Sequence, residues 1–379
     1  MIQPNHGGNL TWAAAVAGCP VSAILDFSAS INPLGPPVSA LESIQRHLYQ
    51  LRVYPDPDYG ELRRVLSQLH DLEPEWVLPG NGAAELLTWA ALELSQTSVT
   101  YLLTPAFSDY WRALHTFNIQ GIGCPWQGLQ DQGENEGKFP FQMPLIAPGT
   151  SVGLVLNSPH NPTGESLSLE SILPILANVA LAVVDEAFLD FVPPEEQESV
   201  ISRIRELPNV VVLRSLTKFY SLPGLRLGYA VGHPQRLRQW QQWRDPWPVN
   251  ALAAAAGVAV VQDREFQQQT WQWLDQARPK LLAGLSQLPG LFPYPSRVNF
   301  VLVRSEWPVD QLQVKLLKSH QILIRDCLSF PELGNYYFRV AVRTEAENQQ
   351  LLAGLALVLE EERGRGGEGE RGRGGERRI

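Results

Sequence analysis

Short apolar runs alternating with segments of helical spacing constrain this chain more than any other feature. Runs at residues 76–78, 99–103, 152–156, 181–184, 210–213 and 227–231 read as brief buried strands, and residues 83–94 and 167–179 carry apolar side chains at helical intervals. Strands that alternate with helices predict an α/β fold: three layers, α/β/α, around a mainly parallel sheet. At 379 residues the chain exceeds one ordinary domain and falls short of three. After Pro248 the pattern changes. Residues 250–278 are Pro-free and rich in helix formers, which suits one or two helices crossing between lobes. Short strands at 299–303, 322–324 and 338–342 then surround a helix at 309–319, and a closing helix runs from 345 to about 361. This second pattern predicts a smaller α+β domain joined by the N-terminal residues. The expected boundaries are an N-terminal arm at 1–35, part of the small domain; a large domain at 36–275; the small C-terminal domain at 276–362; and a tail at 363–379.

The tail has six Arg, three Glu, seven Gly and a single apolar residue. With so little to bury, it is expected to be disordered. Its net charge of +3 leaves −12 on the body, against −9 for the whole chain. An acidic body disfavours nucleic acid and anionic membranes, which need a basic face, and turns attention to small molecules. The Arg/Gly tail keeps a nucleic-acid alternative open, though its glutamates and lack of aromatic residues argue against it. Cys19, Cys124 and Cys327 are widely spaced and odd in number, so neither a disulfide framework nor a zinc site is expected, and a reducing cytoplasm is. The longest small-apolar run, 251–261, is short of the about 20 residues that cross a bilayer, and residues 1–9 do not read as a signal peptide. No metal is expected either: none of the seven histidines forms H-E-x-x-H.

Ligands in open α/β sheets bind outside the carboxyl ends of the strands, and here those ends carry unusual residues. Pro79-Gly80-Asn81-Gly82-Ala83-Ala84-Glu85 is a glycine turn opening a helix, which offers backbone N–H groups to a phosphate but is weak alone. The run at 181–184 ends on Asp185-Glu186. A P-loop ATPase would need G-x-x-x-x-G-K-[ST] elsewhere, and it is missing; a helix cap, or a carboxylate that keeps a cofactor nitrogen protonated, remains. Gly149-Thr150-Ser151-Val152-Gly153 matches the serine-hydrolase pattern in letters only, since it opens a strand instead of a helix. The densest segment is Ser215-Leu216-Thr217-Lys218, followed by Gly224-Leu225-Arg226-Leu227-Gly228. A lysine flanked by hydroxyls and an arginine, with a glycine turn and a buried aspartate elsewhere, supplies what pyridoxal phosphate requires: an amine nucleophile, a phosphate cradle and a carboxylate for the ring nitrogen.

Together with Asn161-Pro162-Thr163-Gly164 and Asp185-Glu186-Ala187, these motifs stand in family order, and from His6 to about residue 360 the chain resembles the aspartate aminotransferase superfamily, fold type I of the pyridoxal-phosphate enzymes. The resemblance makes 36–275 the cofactor domain and implies the following roles. Lys218 bonds the cofactor, Asp185 holds its ring nitrogen and Asn161 its phenolic oxygen. Ser215, Thr217, Arg226 and the N–H groups of Gly82, Ala83 and Ala84 hold the phosphate. Phe107 or Tyr110 covers the ring, and Tyr54 reaches the phosphate from a second subunit of a homodimer. Arg339 binds the substrate carboxylate.

Within the superfamily the chain is similar to the threonine-phosphate decarboxylases of cobalamin biosynthesis and to the histidinol-phosphate aminotransferases. Three features tilt towards the decarboxylases: the N-terminal arm, His6-Gly7-Gly8-Asn9 with 26–35; Phe188 where aminotransferases place a tyrosine; and the segment 324–327 with Arg339 and Arg343. This implies decarboxylation of O-phospho-L-threonine to (R)-1-aminopropan-2-ol O-phosphate, with transamination as the alternative. Arg325, Arg339, Asn161, His6, Asn9, Ser30 and Asn32 are the expected grip on the phosphorylated substrate, although His6 and Asn9 also read as simple caps.

Overall fold

A computed structural model describes residues 7–126 and 149–372. The described residues divide into two compact units, one drawn from residues 31–274 with 296–299, the other from residues 7–30, 275–295 and 300–372.

In the larger unit, seven strands form one sheet in the order Val77–Gly80, Gly228–Gly232, Val210–Ser215, Leu181–Asp185, Val152–Asn157, Val99–Thr104 and Gly121–Pro125. Gly228–Gly232 runs antiparallel to both neighbours and the other pairings are parallel, so the mainly parallel three-layer architecture is observed. The strands of the interior of the sheet are buried along nearly their whole length, which is why they read as unbroken apolar runs. The helix Ala83–Leu94 buries Leu86, Leu87, Ala90, Ala91 and Leu94, the stripe its 3.6-residue period creates. These side chains join Leu102, Val155, Val183, Val211 and Leu213 in one core.

The expected stretch 250–278 forms two helices, Ala251–Val261 and Arg264–Ser286. Asp263 starts the second by accepting the N–H of Phe266 through Oδ1 at 3.0 Å. The edge strand Gly121–Pro125 had no apolar signature: two glycines, a proline and half-exposed positions hide it.

The smaller unit centres on Phe300–Ser305, paired antiparallel with Tyr337–Ala341 and Leu291–Pro293; Arg325–Asp326 extends the sheet beyond Tyr337–Ala341. N-terminal residues build into this unit. Leu25–Asp26 pairs with Ile322–Leu323, and Ala13 on the helix Leu10–Ala17 packs against Leu317 and Leu323. The closing helix runs Glu345–Gly372 and thus enters the segment expected to be disordered from residue 363. The packed part, with Leu351, Leu355, Val358 and Leu359 buried, nucleates the helix, and each later residue needs only one more hydrogen bond to propagate it. Among the described residues, no helix is long and apolar enough to cross a membrane.

Candidate functional site

The carboxyl ends of the central strands gather the expected residues of the larger unit. The glycine turn between Val77–Gly80 and the helix Ala83–Leu94 ends on Gly82, at φ +76°. A Cβ there would lie 2.5 Å from Arg226 Nη2, so the glycine is what lets the guanidinium reach the start of the helix. Gly228 serves the same corner: a Cβ on it would come within 2.7 Å of Ala83 N. As its N-cap, Gly82 has no side chain to occupy the helix terminus, so the N–H groups of Ala83 and Ala84 suit an anion. From the adjoining strand, Ser215 Oγ and Thr217 Oγ1 stand 2.8 Å apart, both side chains buried, and Lys218 Nζ is 3.5 Å from Ser215 Oγ. Lys218 Nζ also lies 4.8 Å from the centre of the Phe188 ring.

Asp185 closes its strand next to Asn157 on one side and Leu213 on the other. Its Oδ1 accepts the Ala187 N–H at 2.9 Å and its Oδ2 accepts the Tyr110 hydroxyl at 2.6 Å. Burial and this carboxylate push the Tyr110 hydroxyl well above its ordinary range. The Phe107 ring stands at 86° to that of Tyr110, centroids 5.7 Å apart. Asn161 is buried in a tight loop where His160 N–H donates to Glu165 O and Gly164 N–H to His160 O, each at 2.6 Å. Beneath it the His160 ring stacks on Trp126 at 4.6 Å, and its Nδ1 lies 2.9 Å from Thr163 Oγ1.

Side chains on a strand alternate faces, so the residues next to Asp185 and Ser215 point away from this site. Arg214 and Glu186 meet on that opposite face, both almost wholly buried. Arg214 Nη1 donates to Glu186 Oε2 at 2.9 Å, and Nη2 binds Asp190. Glu186 also accepts the Ser199 hydroxyl at 2.6 Å and the Val200 N–H at 2.8 Å. Although burial opposes its charge, Asp190, Tyr229 and Glu186 hold Arg214 protonated above its usual range. Neither this ion-pair network nor the Tyr110–Asp185 bond was anticipated from the sequence. The alternation of Asp185 with Glu186 and of Ser215 with Arg214 was the available signal for the network, whereas nothing local ties Tyr110 to a carboxylate 75 residues away.

Asn32 belongs to the larger unit. Its amide donates to Phe219 O and to Thr270 Oγ1, both at 2.8 Å, while its Oδ1 accepts the Leu34 N–H at 3.0 Å. With its backbone N–H on Lys218 O at 3.1 Å, Asn32 braces the lysine segment. Tyr54 is 76% exposed and stacks on Trp247 at 4.2 Å.

The smaller unit carries the other expected residues. Arg325 and Arg339 are direct partners across antiparallel strands and are buried together. Arg325 Nη2 donates to Ser329 Oγ at 2.6 Å, and the Arg339 guanidinium lies 4.4 Å from the centre of the Phe300 ring. Burial lowers Arg339 to about 10, with Cys327 opposing the shift and neighbouring Arg325 adding to it. Two buried cations side by side favour an anion between them. Ser30 is buried, and its hydroxyl has no hydrogen-bond partner among the described residues. Asn9 caps the helix Leu10–Ala17, its Oδ1 accepting the Trp12 N–H at 3.0 Å, which is the simple-cap reading. His6 lies outside the described residues.

Pyridoxal phosphate, which the resemblance implies, fits the larger unit's donors: a glycine-opened anion cradle, two hydroxyls, a lysine and a fixed carboxylate converge on neighbouring strand ends.

The chain belongs to the aminotransferase class I and II family, whose model matches residues 22–355. Threonine-phosphate decarboxylase of Salmonella typhimurium is 40% identical over 370 residues, covering 95% of this chain and 98% of that protein. Histidinol-phosphate aminotransferase 2 of Nitrosospira multiformis is 30% identical over 365 residues, or 95% and 90%. Among solved structures, the L-threonine-O-3-phosphate decarboxylase of Porphyromonas gingivalis has a TM-score of 0.77 at 25% identity, covering 88% of this chain and 99% of that one. Histidinol-phosphate aminotransferase of Sinorhizobium meliloti, solved in complex with pyridoxal-5'-phosphate, shares the fold with a TM-score of 0.78 at 20% identity, over 93% and 95%.

Proposed function

We propose that this protein is a pyridoxal-phosphate-dependent decarboxylase that converts O-phospho-L-threonine to (R)-1-aminopropan-2-ol O-phosphate and CO2 in cobalamin biosynthesis. The observation that carries the reading is the buried Arg325–Arg339 pair, suited to a substrate bearing both carboxylate and phosphate. The 40% identity to the Salmonella decarboxylase, against 30% to the Nitrosospira aminotransferase, supports the choice of reaction.

When bound, the cofactor withdraws electrons from whichever Cα bond of the substrate stands perpendicular to its ring. The residues then have separate tasks. Lys218 supplies the amine that bonds the cofactor, and Asp185 holds the proton on the ring nitrogen. Asn161 donates to the phenolic oxygen and Phe107 covers the ring. Ser215, Thr217, Arg226 and the N–H groups of Gly82, Ala83 and Ala84 hold the phosphate. Arg325 and Arg339 set which substrate bond is perpendicular. In the overall change, the Cα–carboxylate bond breaks, CO2 leaves, and the electron pair on Cα takes one proton.

Purified holoenzyme incubated with O-phospho-L-threonine should release CO2 and the amino alcohol phosphate in equal amounts. Absence of CO2, together with glutamate formation from histidinol phosphate and 2-oxoglutarate, would overturn the reading in favour of transamination.

The same proposal includes a cytoplasmic homodimer in which Tyr54 reaches the partner's phosphate. Supporting it, Val38, Leu41, Leu48, Tyr49, Leu51 and Val53 are all at least 49% exposed, beside a groove of about 620 Å³ that Tyr54 lines. Sedimentation of a monomer at micromolar concentration would refute the dimer.

A further inference from the structure

Tyr110 is a buried titratable side chain to which the functions proposed above give no task. It is 3% exposed and packs in the core of the larger unit with Ala106, Ala113 and Leu114. Only its hydroxyl has polar company: it donates to Asp185 Oδ2 at 2.6 Å. The other carboxylate oxygen is held by the Ala187 N–H at 2.9 Å, from the turn that follows the strand. Two donors from separate elements therefore fix the plane of this carboxylate. Phe107, one helical turn earlier and partly exposed, presents its ring at a right angle to that of Tyr110. Of the two aromatic residues, Phe107 is the one shaped to cover a flat ligand, and Tyr110 is placed to act on the acid.

We propose that Tyr110 is a positioning residue for Asp185: its phenol fixes the carboxylate in one orientation and draws off part of its negative charge, setting how strongly the acid holds the proton of the cofactor's ring nitrogen. The inference rests on the assignment of Asp185 to that nitrogen. Two physical arguments support it. A phenol buried beside a carboxylate stays protonated, so the donor is present at every pH at which the enzyme works. A hydrogen bond to an ionised group is also among the stronger kinds, and removing its donor leaves a buried oxygen unsatisfied.

The test uses the holoenzyme with Tyr110→Phe, which deletes one oxygen and keeps the packed ring. Two quantities are read: the dissociation constant of pyridoxal phosphate, and the pH midpoint at which the visible absorption of the lysine-bound cofactor changes. The dissociation constant should rise about tenfold or more. The midpoint should move to higher pH, because a carboxylate that regains its full charge stabilises the protonated form of the chromophore. A fluorinated tyrosine at position 110, a stronger donor, should move it to lower pH. Melting temperature of the cofactor-free protein accounts for any loss of packing, which by itself would not move the midpoint in opposite directions. If Tyr110→Phe leaves both quantities at the wild-type value while Asp185→Asn changes them, the inference is overturned and the role of Asp185 survives. If Asp185→Asn changes neither, the assignment of Asp185 falls and takes the inference with it. In the double variant, Tyr110→Phe should add nothing to Asp185→Asn; full additivity would show that the tyrosine acts by another route and would also overturn it.

Discussion

Lys218, Gly82 and Arg339 each make the proposed chemistry depend on one side chain, or on the lack of one. Lys218→Ala should abolish the borohydride-reducible adduct between protein and cofactor; a surviving adduct, located by peptide mapping, would put the nucleophile elsewhere. Gly82→Ala forces a Cβ to 2.5 Å from the Arg226 guanidinium at φ +76°, where non-glycine residues are strained by about 1–3 kcal/mol. Weaker pyridoxal-phosphate binding with unchanged binding of unphosphorylated pyridoxal is the expected result, measured by equilibrium dialysis. Arg339→Lys keeps a positive charge but loses the planar fork, and should raise KM for the substrate about ten- to hundredfold. At this scale the sequence was readable where chemistry requires one residue type: a lysine, an acid and a glycine turn at strand ends. It was silent on how Asn32 is held, since its hydrogen bonds to Phe219 and Thr270 come from residues 187 and 238 positions away. No local pattern encodes such a partner.

Strand pairing is what turns these residues into a site. Asp185 and Ser215 face the cradle because they share a parity, and the same parity sends Glu186 and Arg214 to the other face, where they lock the ends of the two strands together. Arg214→Met leaves the buried Glu186 and the partly exposed Asp190 without their cation and should destabilise the protein by about 3–5 kcal/mol, read as a lower urea midpoint. A midpoint within error of wild type would mean that the strand ends are held by packing alone. Apolar runs revealed the strands at the centre of the sheet because burial on both faces demands continuous hydrophobicity. The edge strand Gly121–Pro125 escaped notice because an edge makes no such demand, and the closing helix passes the composition change at residue 363 because propagating a helix is easier than starting one.

Across the whole molecule, acid should be a weak point. His160 is fully buried and held neutral, down to about 3 against an ordinary value of 6.5, mainly by burial, with the Pro105 carbonyl opposing the shift. Below pH 6.5 the unfolded chain binds a proton that the folded chain refuses. The stability present above that pH is therefore lost as pH falls towards 3, by up to about 1.4 kcal/mol per pH unit. Denaturant melts between pH 7.5 and 4.5 should show this slope, and His160→Gln should reduce it to the part due to His70, which burial also lowers to about 3; an unchanged slope would place the acid sensitivity elsewhere.

The strand Gly228–Gly232 has a consequence for biosynthesis. It lies between Val77–Gly80 and Val210–Ser215, with Gly228 bonded opposite both Gly80 and Ser215. Until the ribosome has released that strand, the two halves of the anion cradle have nothing to join them. Cofactor capture should therefore come late in the chain's synthesis. Nascent chains stalled with residue 227 just outside the exit tunnel, Lys218 and Arg226 included, should fail to retain pyridoxal phosphate, whereas those stalled with residue 275 exposed should keep it.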